Sequence, residues 1–338
     1  MERRQFSGRS LAGRGLFLIF LLLGATGFAT EKALERELQR LGPLSGGVMG
    51  VAAVHLESGR TAFLNGDEPF PMASTYKVPI AVELLQRVDQ GKLDLAQMVE
   101  VARHDYSPGS GLLTDLINQP GLALSLRNLL EIMLLVSDNT ATDLCLRHAG
   151  GGEAVTARMR ALGIEGLRVD RPTLHLIAAF RGLAPVPGEA ERDPAKYGEL
   201  LDSVPKEKAE EAERTFYDDP RDTSTPRAMA ALLEKIWKRE ALTPASSDLL
   251  LDIMKRCRTG AGRLKGILPE GTEVRHKTGT IGKSLNDVGI LTLPNEAGHV
   301  IVAAFVKKSD RTEAERERAI AEAARAAHDY FLFTTKWP

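Results

Sequence analysis

Pro71-Met-Ala-Ser-Thr-Tyr-Lys-Val-Pro79 opens the segment on which the rest of the chain is organised. Ile80, Ala81, Leu84, Leu85 and Val88 follow at helical spacing, which predicts a helix over residues 75–90. Ser74 and Lys77 stand three positions apart and so share one face of its first turn. A serine hydroxyl is a weak nucleophile until a neighbouring base takes its proton, and a partly desolvated lysine amine can do that. Backbone N–H groups at a helix N-terminus also favour developing negative charge. On its own the pattern reads first as a capping serine beside an exposed lysine, so its company decides.

Outward from this segment, composition narrows the class. The chain has 338 residues, 43% hydrophobic and 26% charged, in the range of one large or two small globular domains. Its 44 basic and 45 acidic residues nearly cancel, which argues against nucleic acid or a polybasic membrane contact as partner. At the N-terminus, Arg3, Arg4, Arg9 and Arg14 precede an uncharged run over 15–29 that closes on the small residues Gly27-Phe-Ala29. This predicts a secretory signal peptide over 1–29, cleaved near Ala29/Thr30 and too short to span a membrane comfortably. Arg3-Arg-Gln-Phe6 also fits the start of a twin-arginine signal. With no cysteine after the apolar run, a lipid anchor is not expected. The mature chain is therefore expected in the periplasm or medium, without a lasting membrane anchor. Export permits disulfides, yet the only cysteines are Cys145 and Cys257, read as two buried thiols rather than a pair. No Cys/His spacing suits zinc, so neither a metal nor another cofactor is expected.

Taken in order, 31–41 reads as an amphipathic helix through Leu34, Leu38 and Leu41, and 46–56 as an apolar strand. Glu57-Ser-Gly-Arg60 turns that strand into 61–64, making a hairpin. Helical patterns fill 125–136, 140–148, 153–162, 226–237 and 246–256, strands return over 272–277, 287–293 and 299–307, and 312–334 closes as a helix. The expected fold is α+β in three layers: an antiparallel sheet contributed by both chain ends (30–72 and 257–338), flanked by the terminal helices. An all-helical domain, 73–256, is inserted between them. A cleft between two such parts is a natural place for a site.

Two further clusters complement Ser74 and Lys77. Ser137-Asp-Asn139 lies between two helical patterns, where an N-cap is the plain alternative. Lys277-Thr-Gly-Thr280 ends a strand pattern, combining a fixed positive charge, hydroxyls and a glycine that admits close backbone approach. In this order, S-x-x-K, S-D-N and K-T-G are the motif set of class A β-lactamases and penicillin-binding proteins, and the chain resembles that serine-reactive family over nearly all of its mature length. Tyr106-Ser-Pro108, Arg221-Asp-Thr-Ser-Thr-Pro226 and Asn286-Asp287 extend the likeness. The resemblance implies Ser74 as acylated nucleophile, Lys77 as its proton-transfer partner and Ser137 as relay to the leaving nitrogen. It implies Asn139 as donor or acceptor for the substrate amide and Lys277 and Thr278 as anchors for its carboxylate. The backbone N–H groups of Ser74 and Thr280 would form the oxyanion hole. Arg263 matches a carboxylate-steering arginine, against the alternative of a surface arginine, and Tyr106 a residue of the site entrance, against simple packing. The family's members are usually monomers.

The likeness fails at one place. Asp170-Arg171 and Arg221-Asp222 match the neck of a loop that in class A β-lactamases carries the glutamate activating water for deacylation. Here Arg171 and Asp222 are 51 positions apart, far more than in ordinary members, and no glutamate occupies the matching place. Pro172-Thr-Leu-His-Leu-Ile-Ala-Ala-Phe180 stands there instead, with His175 the nearest titratable group. The remainder of 172–221 reads as a solvated helical excursion or lid, from which Glu189, Glu191, Glu199 or Glu207 could fold back as a base. The expected activity is hydrolysis of β-lactams through an acyl-enzyme on Ser74. The alternatives are a D,D-peptidase acting on peptidoglycan peptides and a slowly deacylating penicillin-binding protein or sensor.

Overall fold

The computed structural model describes residues 32–188 and 194–334 together with Met1, so the expected signal peptide lies outside the described residues. Helix α1 covers 32–41, and the hairpin β1 (Val48–His55) and β2 (Thr61–Leu64) follows. Next come β3 (Phe70–Pro71), a 3-10 turn (Ala73–Tyr76) and α2 (Lys77–Asp89). A helical stretch continues with β4 (Met98–Glu100), α3 (Leu112–Leu116), β5 (Ala123–Ser125), α4 (Leu126–Leu135), α5 (Asn139–His148) and α6 (Gly151–Ala161). Then come α7 (Thr173–Arg181), α8 (Pro194–Asp202), α9 (Lys206–Phe216), β6 (Thr223–Ser224), α10 (Pro226–Trp237) and α11 (Pro244–Lys255). The chain returns through β7 (Val274–Ile281), β8 (Ser284–Thr292) and β9 (His299–Lys307), and ends in α12 (Glu313–Thr334). Among the described residues no helix is long and apolar enough to cross a membrane.

The sheet has the order β2-β1-β9-β8-β7 and is antiparallel throughout, so the last strand in sequence sits at its centre. Side chains alternate faces along a strand. On β1, Met49, Val51 and Ala53 meet Val302, Ala304 and Val306 of β9, and all pack under Leu34 and Leu38 of α1 and Ile320, Ala323 and Ala327 of α12. The alternate residues Ala52 and Val54, with Ala303 and Phe305, face α2 and α10 through Ile80, Leu84, Met229 and Leu233. Burial on both faces explains why β1 and β9 are continuously apolar rather than alternating. The helix starts follow local chemistry. Ser125, Thr225 and Thr243 accept from the backbone N–H three residues on, and Pro226 and Pro244 fill first-turn positions that need no N–H donor.

Three departures from the sequence reading matter. The helix expected from 75 opens instead with the 3-10 turn, in which residues three apart eclipse, so Ser74 and Lys77 are held more closely in line than on an α-helix. The strand expected to end at Lys277 runs on through Ile281, with Gly279 paired to Asn286. Its glycine marks a close approach rather than a strand end. The long insert is also no bare solvated excursion, because its described part has small cores of its own. Leu174 and Ala178 pack with Tyr197 and Leu201, and Leu176 with Phe216 and Tyr217.

Candidate active site

Four elements converge on one cavity of about 420 Å3: the 3-10 turn, the loop before α5, the strand β7 and helix α7. The 3-10 turn supplies Ser74, which is partly exposed, and Ala73 before it takes a positive φ of 45° that an alanine rarely adopts. Strand β7 runs beside this turn so closely that a Cβ on Gly279 would stand 2.6 Å from the Met72 carbonyl oxygen and 3.0 Å from the Ser74 nitrogen. Only glycine fits there. Asn286 of β8 fixes the turn from below, donating its amide N–H groups to the Pro71 and Met72 carbonyls at 2.9 Å.

Ser137-Asp-Asn139 divides its labour by geometry. Asp138 is buried and caps α5, accepting from the Ala141 N–H at 2.7 Å and from the Leu113 N–H at 2.8 Å. Its neighbours are thereby aimed into the cavity. Ser137 is held in the left-handed region, φ 62°, a strained conformation of the kind stored at functional sites. Its Oγ lies 3.0 Å from Lys77 Nζ and 3.0 Å from Lys277 Nζ. Asn139 accepts from Lys77 Nζ at 3.0 Å through Oδ1, and its amide donates to the Pro108 carbonyl at 2.8 Å.

Both amines are fully buried behind Ser137. Lys77 donates to the Ser137 carbonyl (2.7 Å), Ser137 Oγ and Asn139 Oδ1, which uses all three protons of an ammonium. Burial, followed by the charge of Lys277, holds its pKa well below the ordinary lysine value. The neutral amine has one donor fewer and one lone pair more, so losing a proton here turns Lys77 from a scaffold into a base. Burial likewise brings Lys277 down to about 8. Lys277 also donates to the Thr278 carbonyl at 2.8 Å, and the Thr278 and Thr259 hydroxyls meet at 2.6 Å on the cavity wall. Thr280 is exposed at the rim, its hydroxyl accepting from Arg263 at 2.8 Å.

Arg263 is neither free nor on the surface. It is 5% exposed, lines the cavity and is paired to Glu317 at 3.0 Å and Glu313 at 3.2 Å. Tyr106, expected at the entrance, is a packing residue: its ring is buried, its hydroxyl donates to the Ile117 carbonyl at 2.9 Å, and it is not among the lining residues.

The neck is closed. Arg171 and Asp222 pair at 2.5 Å, Asp222 also accepts from the Asp170 and Arg171 N–H groups, and the Asp222 N–H returns a bond to Asp170. Beyond the neck, α7 presents Thr173, Leu176, Ile177, Phe180 and Arg181 to the cavity. No carboxylate and no imidazole is among the lining residues described. His175 lies on α7 away from the lining, Glu199 and Glu207 are exposed on α8 and α9, and Glu189 and Glu191 lie outside the described residues.

Two residues that sequence reasoning passes over organise this wall. Asp143, half-buried on α5, accepts from the N–H groups of Thr173 (2.6 Å) and Leu174 (3.1 Å) and from the Ser107 hydroxyl (2.6 Å), anchoring the N-terminus of α7. Tyr76 joins its hydroxyl to that of Thr173. The one sequence signal for Asp143 is its place four residues after Asn139, on the same face of α5.

Residues 33–331 match the family model described as the beta-lactamase enzyme family. The chain is 29% identical over 329 residues to the beta-lactamase CTX-M-97 of Escherichia coli, covering 96% of this chain and 99% of that one. Among solved structures it is similar to a beta-lactamase from Chitinophaga pinensis (TM-score 0.72, 30% identity, 88% of this chain and 98% of that one). It is also similar to a PBP-A variant in acyl-enzyme complex with penicillin G (TM-score 0.70, 26% identity, 89% and 96%). A sheet drawn from both chain ends, three active-site motifs around one cavity and a family match over almost the whole described chain agree, and the protein belongs to the class A β-lactamase and penicillin-binding-protein-like family.

Proposed function

We propose that this chain is an exported serine hydrolase that opens β-lactam rings through an acyl-enzyme on Ser74. The observation that carries the reading is the Ser137 hydroxyl, placed 3.0 Å from each of two buried amines beside the nucleophile. Neutral Lys77 takes the Ser74 proton as the hydroxyl attacks the ring carbonyl. The Ser74 and Thr280 N–H groups receive the oxyanion, each donor being worth on the order of 3–4 kcal/mol in hydrolases of this type. Ser137 passes the proton on to the departing ring nitrogen. Lys277, Thr278 and, through Thr280, Arg263 hold the substrate carboxylate, and Asn139 its amide. The basic, apolar run in residues 1–29 supports export, and the protein acts as a monomer without metal or cofactor. Intact-mass measurement over time after adding penicillin, beside a chromogenic cephalosporin assay, tests this. A covalent adduct that forms, decays and is lost in Ser74→Ala is expected, and the absence of an adduct in the wild type overturns it.

One observation favours a second reading, a D,D-peptidase on peptidoglycan peptides or a slowly deacylating penicillin-binding protein. The described cavity lining holds no carboxylate to activate water, and fast hydrolysis of an acyl-enzyme needs such a base. Release of D-alanine from a muropeptide, together with a persistent penicillin adduct, selects that reading.

A further inference from the structure

The two cysteines are both free and buried, yet their surroundings differ completely. Cys145 sits in α5 among apolar side chains of the main core, 0% exposed, and burial pushes its thiol well up. Cys257 follows α11 and reaches Thr259 of the cavity lining. Its Sγ is 3.4 Å from the Thr259 hydroxyl, which meets the Thr278 hydroxyl at 2.6 Å, and both threonines line the cavity. Cys257 also interacts with His276 of β7, which is fully buried. The His276 Nδ1 binds both carboxylate oxygens of buried Asp287, at 2.9 and 3.0 Å, while Nε2 has no conventional hydrogen-bond partner. A buried imidazole oriented by a carboxylate, with its second nitrogen left to a thiol, is the arrangement that holds a cysteine as thiolate. The catalytic scheme above uses none of these three residues.

We infer that Cys257, His276 and Asp287 form a modification site at which the Cys257 thiolate reacts with small hydroperoxides or other thiol-directed electrophiles that enter through the active-site cavity. Burial alone raises the thiol, but the neighbouring His276 imidazole and the charge of Lys277 outweigh it and lower Cys257. Burial alone lowers the imidazole, while Asp287 and the thiol raise it, which favours the thiolate and imidazolium form of the pair. With hydrogen peroxide the sulfur attacks one oxygen, the S–O bond forms and the O–O bond breaks. The hydroxide that leaves takes its proton from His276 and departs as water. Sulfur is oxidised by two electrons to a neutral sulfenic acid, and the peroxide is reduced.

The reaction has a consequence for the cavity. The thiolate charge is one of the interactions that keep Lys277 protonated, so its loss weakens the lysine as a cation. The added oxygen also crowds the Thr259–Thr278 pair. Modification therefore weakens the hold on a substrate carboxylate, a step that rests on the function proposed above.

The full-length mature protein is treated with limiting hydrogen peroxide, or with iodoacetamide, at pH 7, and the modified residue is mapped by peptide mass spectrometry. Cys257 is expected to react more than about tenfold faster than Cys145, and His276→Gln to slow it. Equal rates at the two cysteines, or reaction only under unfolding conditions, overturns the site. This readout needs no substrate, so it stands or falls separately from the β-lactamase reading. In the activity arm, peroxide is expected to raise KM for a carboxylate-bearing β-lactam about tenfold with a smaller change in kcat. Cys257→Ser should be insensitive and Cys145→Ser as sensitive as wild type. Oxygen mapped to Cys257 with unchanged KM overturns the coupling to Lys277.

Discussion

Arg171 Nε donates to Asp222 Oδ2 across 2.5 Å and so ties together two residues 51 positions apart. Asp222 is 2% exposed and accepts from two backbone N–H groups as well, while Asp219 takes the other side of the guanidinium at 3.1 Å. Removing one member of a buried pair leaves the other charge uncompensated, which typically costs 3–5 kcal/mol. In Asp222→Ala, Asp219 still pairs with Arg171 but two backbone N–H groups lose their acceptor, so the variant is expected to destabilise by about 3 kcal/mol in urea denaturation and to loosen α7. A loss below about 1 kcal/mol would show that the neck is not what holds the insert.

Gly279 gives a sharper test of the cavity. A methyl group there meets backbone atoms of Met72 and Ser74, which cannot swing aside as a flexible side chain can. Gly279→Ala is expected to push β7 away from Ser74 and slow acylation by about a hundredfold, the size of losing one oxyanion donor. Stopped-flow acylation measures this, and thermal denaturation separates it from general unfolding.

The two amines predict a pH profile. In the proposed mechanism Lys77 must lose its proton to act as base, and its lowered pKa puts that event on the acid limb. Lys277 must keep its proton to hold a carboxylate, so kcat/KM is expected to fall above about pH 8. Because the groups interact, the two limbs report the pair rather than either residue. Lys277→Arg keeps the cation charged at all accessible pH and should remove the alkaline limb. The linkage to stability has the opposite sense. Between about 8 and 10.5 the folded chain releases this proton while the unfolded chain retains it, so the Lys277 contribution to stability rises with pH across that window.

Thr173 lines the cavity where the family's water-activating carboxylate is missing. Thr173→Glu is expected to shorten the life of a penicillin adduct by about a hundredfold or more, the range of general-base catalysis. Intact-mass decay curves decide it, and an unchanged adduct lifetime would mean that water reaches Ser74 from another side.

Much of the site is legible in the amino-acid sequence alone. Ser74, Lys77, Ser137, Asn139, Lys277 and Thr278 stand out because the chemistry proposed for them needs fixed local spacing, and local spacing is what a sequence records. The sheet is legible too, since strands buried on both faces must be apolar throughout. What stays hidden depends on contacts between distant segments. Nothing in the sequence around Tyr106 says that its hydroxyl finds the Ile117 carbonyl instead of the cavity. Arg263 gives no local sign that Glu313 and Glu317 of α12 enclose it. Asp143 looks like any polar residue of a helix, and only the folded α7 shows which N–H groups it receives. The true end of β7 is hidden for a similar reason, because a glycine in a strand pattern reads as a stop, whereas here it is a point of contact.

The place of β9 in the middle of the sheet has a consequence for when the protein can react. Residues 299–307 separate β1 from β8, and β8 in turn carries β7 and Gly279 up against Ser74. While a growing chain lacks those residues, Ser74 has no wall to face and Lys277 no fixed place beside it. Reactivity therefore arrives late and all at once, after the last strand has inserted, and a shortened chain ending before residue 299 would carry all three motifs and yet be chemically silent.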